Sequence, residues 1–160
     1  MGAFETAIDF TLKHQAGTGG IVQNEYDVFL DRMHRKHASV ENITDTEIAE
    51  IYRFDFWDYL KLDSLPEELA IAIFDFAITT TPVRAVKVLQ ATLDIMPSGE
   101  MDDYSIRAIG KFCSDKKRIA DLTKNYLGRR KQYLYVLAGR MKVPKKITDR
   151  IAELEKLLLT

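Results

Sequence analysis

Apolar residues recur at three- and four-residue spacing along nearly the whole chain, which is the period of one helical face and not the alternation of a half-buried strand. Phe4, Ile8, Thr11 and Leu12 form the first stripe, which ends at the turn Gly17-Thr18-Gly19-Gly20. Tyr26, Phe29, Leu30 and Met33 form the second. Thr44 followed by Glu47, and Ser64 followed by Glu67, have the spacing at which a hydroxyl caps the third amide of a helix while the carboxylate reaches back to the cap. The first pair predicts a helix carrying Ile48, Ile51, Tyr52 and Phe56. The second predicts a helix with Pro66 at its first position, where the missing donor costs nothing.

From Leu69 to Ile78 the chain is apolar on every helical face except at Asp75, so this helix must be enclosed by others. Its β-branched content also permits a buried strand, but its length and the following Thr81-Pro82, a further helix opening, favour helix. Helices are predicted over Val83 to Leu93, Asp102 to Cys113, about Asp115 to Met141 with Gly128 as a point of interruption, and Lys145 to Leu159. The turn Met96-Pro97-Ser98-Gly99 and the pair Val143-Pro144 separate them. The predicted fold class is all-α.

A chain of 160 residues suits one globular domain. The net charge of -1 conceals an asymmetry: residues 115–160 hold 13 Lys and Arg against 5 Asp and Glu, and residues 1–114 hold 10 against 19. The basic third offers a surface for an acidic partner, an anionic cell-wall polymer or nucleic acid, although acidic and basic helices can also neutralise one another within a fold. Lys116, Lys117, Arg118, Arg129, Arg130 and Lys131 are its candidate surface cations, with Tyr126, Tyr133 and Tyr135 interleaved. No helix-turn-helix, ribonucleoprotein or zinc motif accompanies them, which disfavours nucleic acid. The single cysteine, Cys113, reads as a small core residue. No apolar run is long enough to span a membrane, so no membrane insertion is expected, and the N-terminus lacks the pattern of a signal peptide, so synthesis in a cytoplasm is expected.

Among titratable residues, Asp75 is the best candidate for a perturbed acid, with a buried ion pair to Arg84 or Arg53 as the alternative reading. Glu25 and Asp27 fall where acids complement a helix dipole. His34 and His37 share a helix face, but the neighbouring Arg and Lys repel a cation and no cluster completes a ligand set. No metal or cofactor is expected, and no Ser-His-Asp or Cys-His signature emerges.

The segment Leu12-Lys13-His14-Gln15-Ala16-Gly17 resembles the Lys-His-Glu-Gly-Gly run that closes the first helix of glycoside hydrolase family 108, the lysozyme-like N-acetylmuramidases of phage endolysins and secretion-activator relatives. Gly20-Ile21-Val22-Gln23 with Tyr26-Asp27-Val28-Phe29 is similar to that family's next segment. So are Ile43-Thr44 through Trp57-Asp58, Leu65-Pro66 with Phe74-Asp75-Phe76-Ala77, and Pro82 through Leu89-Gln90. Together these cover about residues 4–95, and their order makes the resemblance more specific than any one of them. It implies a lysozyme-like bundle around a central buried helix. A muramidase-like core over 1–95 and a basic helical region over 96–160 would then pack as one globular unit.

The departures from the family gather at the cleft that the resemblance implies. Gln15 stands where the family has its catalytic glutamate, and a carboxamide has no titratable proton to give a glycosidic oxygen. Val22 replaces a threonine, the loop before it shrinks to Gly17-Thr18-Gly19, and Thr79, followed by Thr80, replaces an asparagine. His14 matches the motif histidine, in a supporting role. In the C-terminal region Arg140 stands where a tryptophan would offer a sugar platform. These positions imply a catalytically degenerate muramidase fold, serving as a phage or prophage virion or tail component or as a module that contacts peptidoglycan, directed to a virion or cell wall by a phage route. The alternatives are an active N-acetylmuramidase using another carboxylate or having Gln15 in place of a natural glutamate, and a basic adaptor for an acidic protein.

Overall fold

The periodicity is realised as eight α-helices joined by short 3₁₀ and π segments, with no strand, in a computed structural model that describes residues 1–160. They are α1 (Ala3–His14), α2 (Gln23–Arg32), α3 (Asp45–Tyr52), α4 (Glu67–Thr79), α5 (Pro82–Thr92), α6 (Asp103–Phe112), α7 (Lys116–Ala138) and α8 (Lys145–Leu158). The chain divides into two compact units, Met1–Tyr59 and Leu60–Thr160. The boundary expected near residue 95 instead falls inside the second unit. Motif content and charge change there, but packing does not: α7 and α8 both pack on α4, so the basic region belongs to the same unit as the buried helix.

In the first unit, α1 buries Ala7, Ile8, Phe10 and Thr11, and α2 buries Tyr26, Phe29 and Leu30. The capping box of α3 forms as its spacing predicts: Thr44 Oγ1 accepts from Glu47 N at 3.2 Å, and Thr44 N donates to Glu47 Oε1 at 3.0 Å. The same carboxylate accepts from Tyr26 Oη at 3.0 Å and from Arg35 Nη2 at 2.8 Å, which ties α2 and the segment after it to α3. Burial alone would push Glu47 upward, but the bonds from Thr44, Tyr26 and Arg35 outweigh it and hold the carboxyl below the usual range. Beyond α3 the helix widens into a π turn over Arg53–Asp58. That register stacks residues five apart, and Arg53 Nε duly donates to Asp58 Oδ1 at 3.1 Å.

The second unit is organised around α4, whose residues Leu69 through Ala77 are all buried. Helices α5, α7 and α8 pack on it, and α6 packs on α7. Each fully buried Leu, Ile or Phe contributes roughly 1.5–3 kcal/mol, which makes α4 the principal source of apolar stabilisation in this unit. Its start differs from the expected capping box. Ser64 ends a 3₁₀ turn by donating to Lys61 O at 2.7 Å, and Pro66 stands at the cap instead of at the first helical position. The helix therefore starts at Glu67, two residues later than a cap at Ser64 requires, and the carboxylate is at the first helical position and not the third. At α5 the expected opening holds, with Thr81 Oγ1 accepting from Arg84 N at 3.1 Å and Pro82 at the first position.

The loop between α5 and α6 is held by the fully buried Gln90. Its Nε2 lies 2.9 Å from Ser98 Oγ, 3.0 Å from Glu100 O and 3.0 Å from Ser105 Oγ, and its Oε1 accepts from Gly99 N at 2.9 Å. Helix α7 runs through Gly128 without interruption, since the exposed glycine costs only about 1 kcal/mol there and Leu122, Thr123, Tyr126, Leu127 and Arg130 are buried on its inner side. Tyr126 Oη donates to Ala85 O at 2.9 Å, and complete burial pushes its phenol far up. Cys113 differs from the expected core residue: it caps the end of α6, half-buried, because the inward face of that helix ends at Ile109. No helix is long and apolar enough to cross a membrane.

Candidate functional site

In the first unit the site implied by the Gln15 motif is a turn at the end of α1. Gln15 closes the helix, its amide donating to Thr11 O at 2.8 Å, with φ -129° and ψ 75°. The chain then reverses through residues whose glycines all have positive φ: 78° at Gly17, 62° at Gly19 and 88° at Gly20. Tyr52 of α3 pins this reversal by donating to Gly19 O at 2.6 Å. A β-carbon on Gly19 would lie 2.9 Å from Ile48 Cγ2. One on Gly20 would lie 2.6 Å from Gln15 Nε2 and 3.1 Å from Tyr52 Oη. The Gln15 side chain thus lies across Gly20, and its Oε1 is shielded from solvent with no hydrogen-bond donor. His14 packs its imidazole against Phe10, with ring centroids 4.5 Å apart and planes tilted by 40°.

Val22 caps α2 with a side chain that can accept nothing, so only Glu25 serves this end, accepting from Val22 N at 3.1 Å. A threonine there would supply the missing hydroxyl, worth about 1 kcal/mol. Next to it, Gln23 donates to Asp27 Oδ1 at 2.9 Å and Ala38 O at 2.8 Å while accepting from Val40 N at 2.8 Å. Glu25 and Asp27 are therefore committed to helix capping and loop fastening. His37 pairs with Asp31 at 2.7 Å, and that hydrogen bond raises its pKa above the ordinary value. His34 ends α2 in the left-handed conformation at φ 55°. No group of three or more His, Cys, Asp or Glu side chains is placed to hold a metal.

In the second unit Asp75 is a buried anion with two cations. Arg130 Nη1 donates to Oδ2 at 2.7 Å; Arg150 donates to Oδ1 through Nε at 3.0 Å and Nη2 at 2.7 Å. All three side chains are buried. The partners expected from sequence, Arg84 and Arg53, are engaged elsewhere: Arg84 stacks over Tyr133, and Arg53 over Phe4 with its ion pair to Asp58. With both carboxylate oxygens bound to guanidinium, Asp75 is placed to hold α4, α7 and α8 together and not to pass a proton to a ligand.

Thr79 is exposed and Thr80 half-buried, and both hydroxyls bond back to α4. Thr79 Oγ1 donates to Asp75 O at 2.8 Å and accepts from Arg130 Nη2 at 3.1 Å; Thr80 Oγ1 donates to Phe76 O at 2.7 Å. Both hydroxyls finish the C-terminal turn of α4, and Thr79 extends the Asp75 cluster.

The basic surface divides along the same line. Lys116, Lys117, Arg118 and Arg129 are exposed. The first three lie in the opening turn of α7, where positive charge opposes the helix dipole and only the Asp115 cap, accepting from Arg118 N at 2.9 Å, offsets it. Lys131 pairs with Glu155. Arg130 is not a surface cation: it falls on the buried stripe of α7, beneath Phe76 and against Asp75. The residue that sequence reasoning missed is Arg150. It occupies the inward stripe of α8 beside Ile151, in register with Leu154 and Leu158, and a charge on an apolar stripe was the available signal.

The all-helical architecture, with its glycine turn after α1, is consistent with a lysozyme-like helical fold. The family model described as Glycosyl hydrolase 108 matches residues 14–80, so the resemblance to that family is shown for the segment that begins at His14 and Gln15. Among solved structures the chain is similar to SagA of Brucella abortus, with a TM-score of 0.74 and 23% identity over 98% of this chain and 93% of that one. At that identity the likeness shows the fold. None of the curated proteins matches the chain.

Proposed function

We propose that this chain is a non-cleaving, peptidoglycan-contacting form of the lysozyme-like fold. The observation that carries the reading is Gln15: it occupies the motif position of a general acid, has no proton to transfer, and holds a shielded carbonyl oxygen with no donor. A general acid supplies roughly 10²–10⁴-fold in rate, so glycan cleavage should be slower by about that factor without one. Gln15 as a whole is only half-buried, and a carboxamide can hydrogen-bond a sugar hydroxyl or an N-acetyl group without being able to protonate a glycosidic oxygen. No neighbouring carboxylate takes over. Glu25 and Asp27 are committed to α2, Glu47 to its four donor groups, and Asp75 to two guanidinium groups.

Purified protein should leave a suspension of cell walls turbid yet co-sediment with it. Gln15→Leu should release the protein from the walls, and Gln15→Glu should test whether the acid alone restores lysis. Clearing by the wild-type chain would refute the non-cleaving reading; retention of Gln15→Leu at wild-type strength would refute the role of the Gln15 carboxamide.

A further inference from the structure

The end of α7 breaks the rule that governs the rest of the second unit. Its last turn, Tyr135-Val136-Leu137-Ala138, is apolar on every side, and a helix turn of that composition is normally enclosed. Here Val136 is 81% and Leu137 66% exposed, and Met141, just past the Gly139 reversal, is 80% exposed. A groove between α7 and α8, lined by Leu134, Tyr135, Val143 and Ile151 together with Lys131 and Thr148, lies beside this surface. The tip is convex and aliphatic, with the amphipathic ring of Tyr135 at its border.

Charge surrounds it. No acidic residue occurs from Leu122 to Thr148, a window holding eight Lys and Arg. Arg130 is neutralised by Asp75, Lys131 by Glu155, and Lys145 lies 3.6 Å from Asp149, but Arg140, Lys142 and Lys146 border the exposed apolar residues without an acidic partner. Apolar side chains that protrude, instead of lining a cleft, and that carry a collar of long unpaired cations fit a surface that is anionic outside and hydrocarbon beneath. An acidic protein would satisfy the collar and leave Val136, Leu137 and Met141 without a complementary concave surface.

We propose that the tip formed by the end of α7, the 139–144 turn and the start of α8 is a peripheral docking element for an anionic lipid bilayer. It lies on the membrane with Val136, Leu137 and Met141 among the acyl chains and Arg140, Lys142 and Lys146 at the phosphates. This goes beyond contact with glycan and is independent of Gln15.

The test is sedimentation of the full chain with vesicles of phosphatidylcholine alone and with vesicles containing phosphatidylglycerol, beside its direct binding to soluble polyglutamate. Binding is expected on the phosphatidylglycerol vesicles and should be at least about tenfold weaker on polyglutamate, which offers charge without hydrocarbon. Leu137→Gln with Met141→Gln should reduce it by about tenfold or more, and Lys142→Gln with Lys146→Gln by roughly fivefold per cation removed. All four positions are exposed, so unchanged thermal unfolding should accompany both variants. Absence of vesicle binding, equal binding to phosphatidylcholine, or wild-type binding by the glutamine pair at 137 and 141 would overturn the proposal. So would binding to polyglutamate as tight as to the phosphatidylglycerol vesicles, which would point to an acidic protein.

Discussion

Asp75 and Gln15 are polar side chains set among packed helices, one in each unit, and they differ in how completely they are answered. Asp75 accepts three charge-assisted bonds from Arg130 and Arg150, and even Thr79 beside it is drawn into the network. Gln15 lies across a turn that Tyr52 holds in place, yet its Oε1 meets no donor. A saturated cluster contributes to the integrity of its unit. A polar atom left unmet in a well-held frame costs stability.

The largest effect should come from breaking the saturated side. Asp75→Ala leaves two buried guanidinium groups without a counter-charge, and we expect a loss of about 3–5 kcal/mol in a denaturant titration. A loss below about 1 kcal/mol would mean that the cluster is not the buried, interdependent unit its geometry describes. Next comes the frame around Gln15. Gly20→Ala forces a β-carbon to within 2.6 Å of Gln15 Nε2 at φ 88°, and a left-handed non-glycine residue costs roughly 1–2 kcal/mol. That variant should be less stable and should also lose cell-wall retention, because the amide it displaces is the proposed contact.

Glu47 sharpens the comparison within the first unit, since it is a saturated carboxylate near an unsaturated amide. Its folded pKa lies below its unfolded value, so its contribution is fully present above the ordinary carboxylate value near about 4.3 and is lost as pH falls through the folded value. Wild-type stability should therefore fall in that acid window, and the profile of Glu47→Gln should be flatter there. The smallest effect is expected at Gln15 itself. Gln15→Leu removes an unmet acceptor and should leave unfolding within about 0.5 kcal/mol of wild type, or slightly raise it. A large destabilisation would show that the carboxamide has a structural partner and that the contrast with Asp75 is mistaken.

Much of this was legible in the sequence. The spacing of Thr44 and Glu47 gave the start of α3, the unbroken apolar run gave α4, and Thr81-Pro82 gave α5, because each signal is local and a helix satisfies its own backbone. Ser64 and Glu67 misled for an equally local reason: the same spacing was consumed by a 3₁₀ turn one step earlier. Asp75 was recognised as the exceptional residue in its helix, but its partners were sought within the segment of motif likeness. They lie 55 and 75 residues further on, where no periodicity links them to it. Arg130 was grouped with its neighbours Arg129 and Lys131 by charge, whereas burial follows helical phase and separates adjacent residues by about 100°. At Gln15 the sequence supplied the residue and its place at the end of α1; the orphaned oxygen and the bond from Tyr52 to Gly19 required coordinates.

The distance between Asp75 and Arg150 along the chain also has a consequence for biosynthesis. At about 5–20 residues per second, a ribosome needs on the order of ten seconds after releasing the aspartate before the last arginine emerges. During that interval the most oily helix of the molecule carries a half-compensated anion and lacks the cover that α8 supplies. A nascent chain stalled or truncated ahead of that arginine is therefore a natural substrate for chaperones and proteases, and the final helix acts as the latch whose arrival completes the second unit.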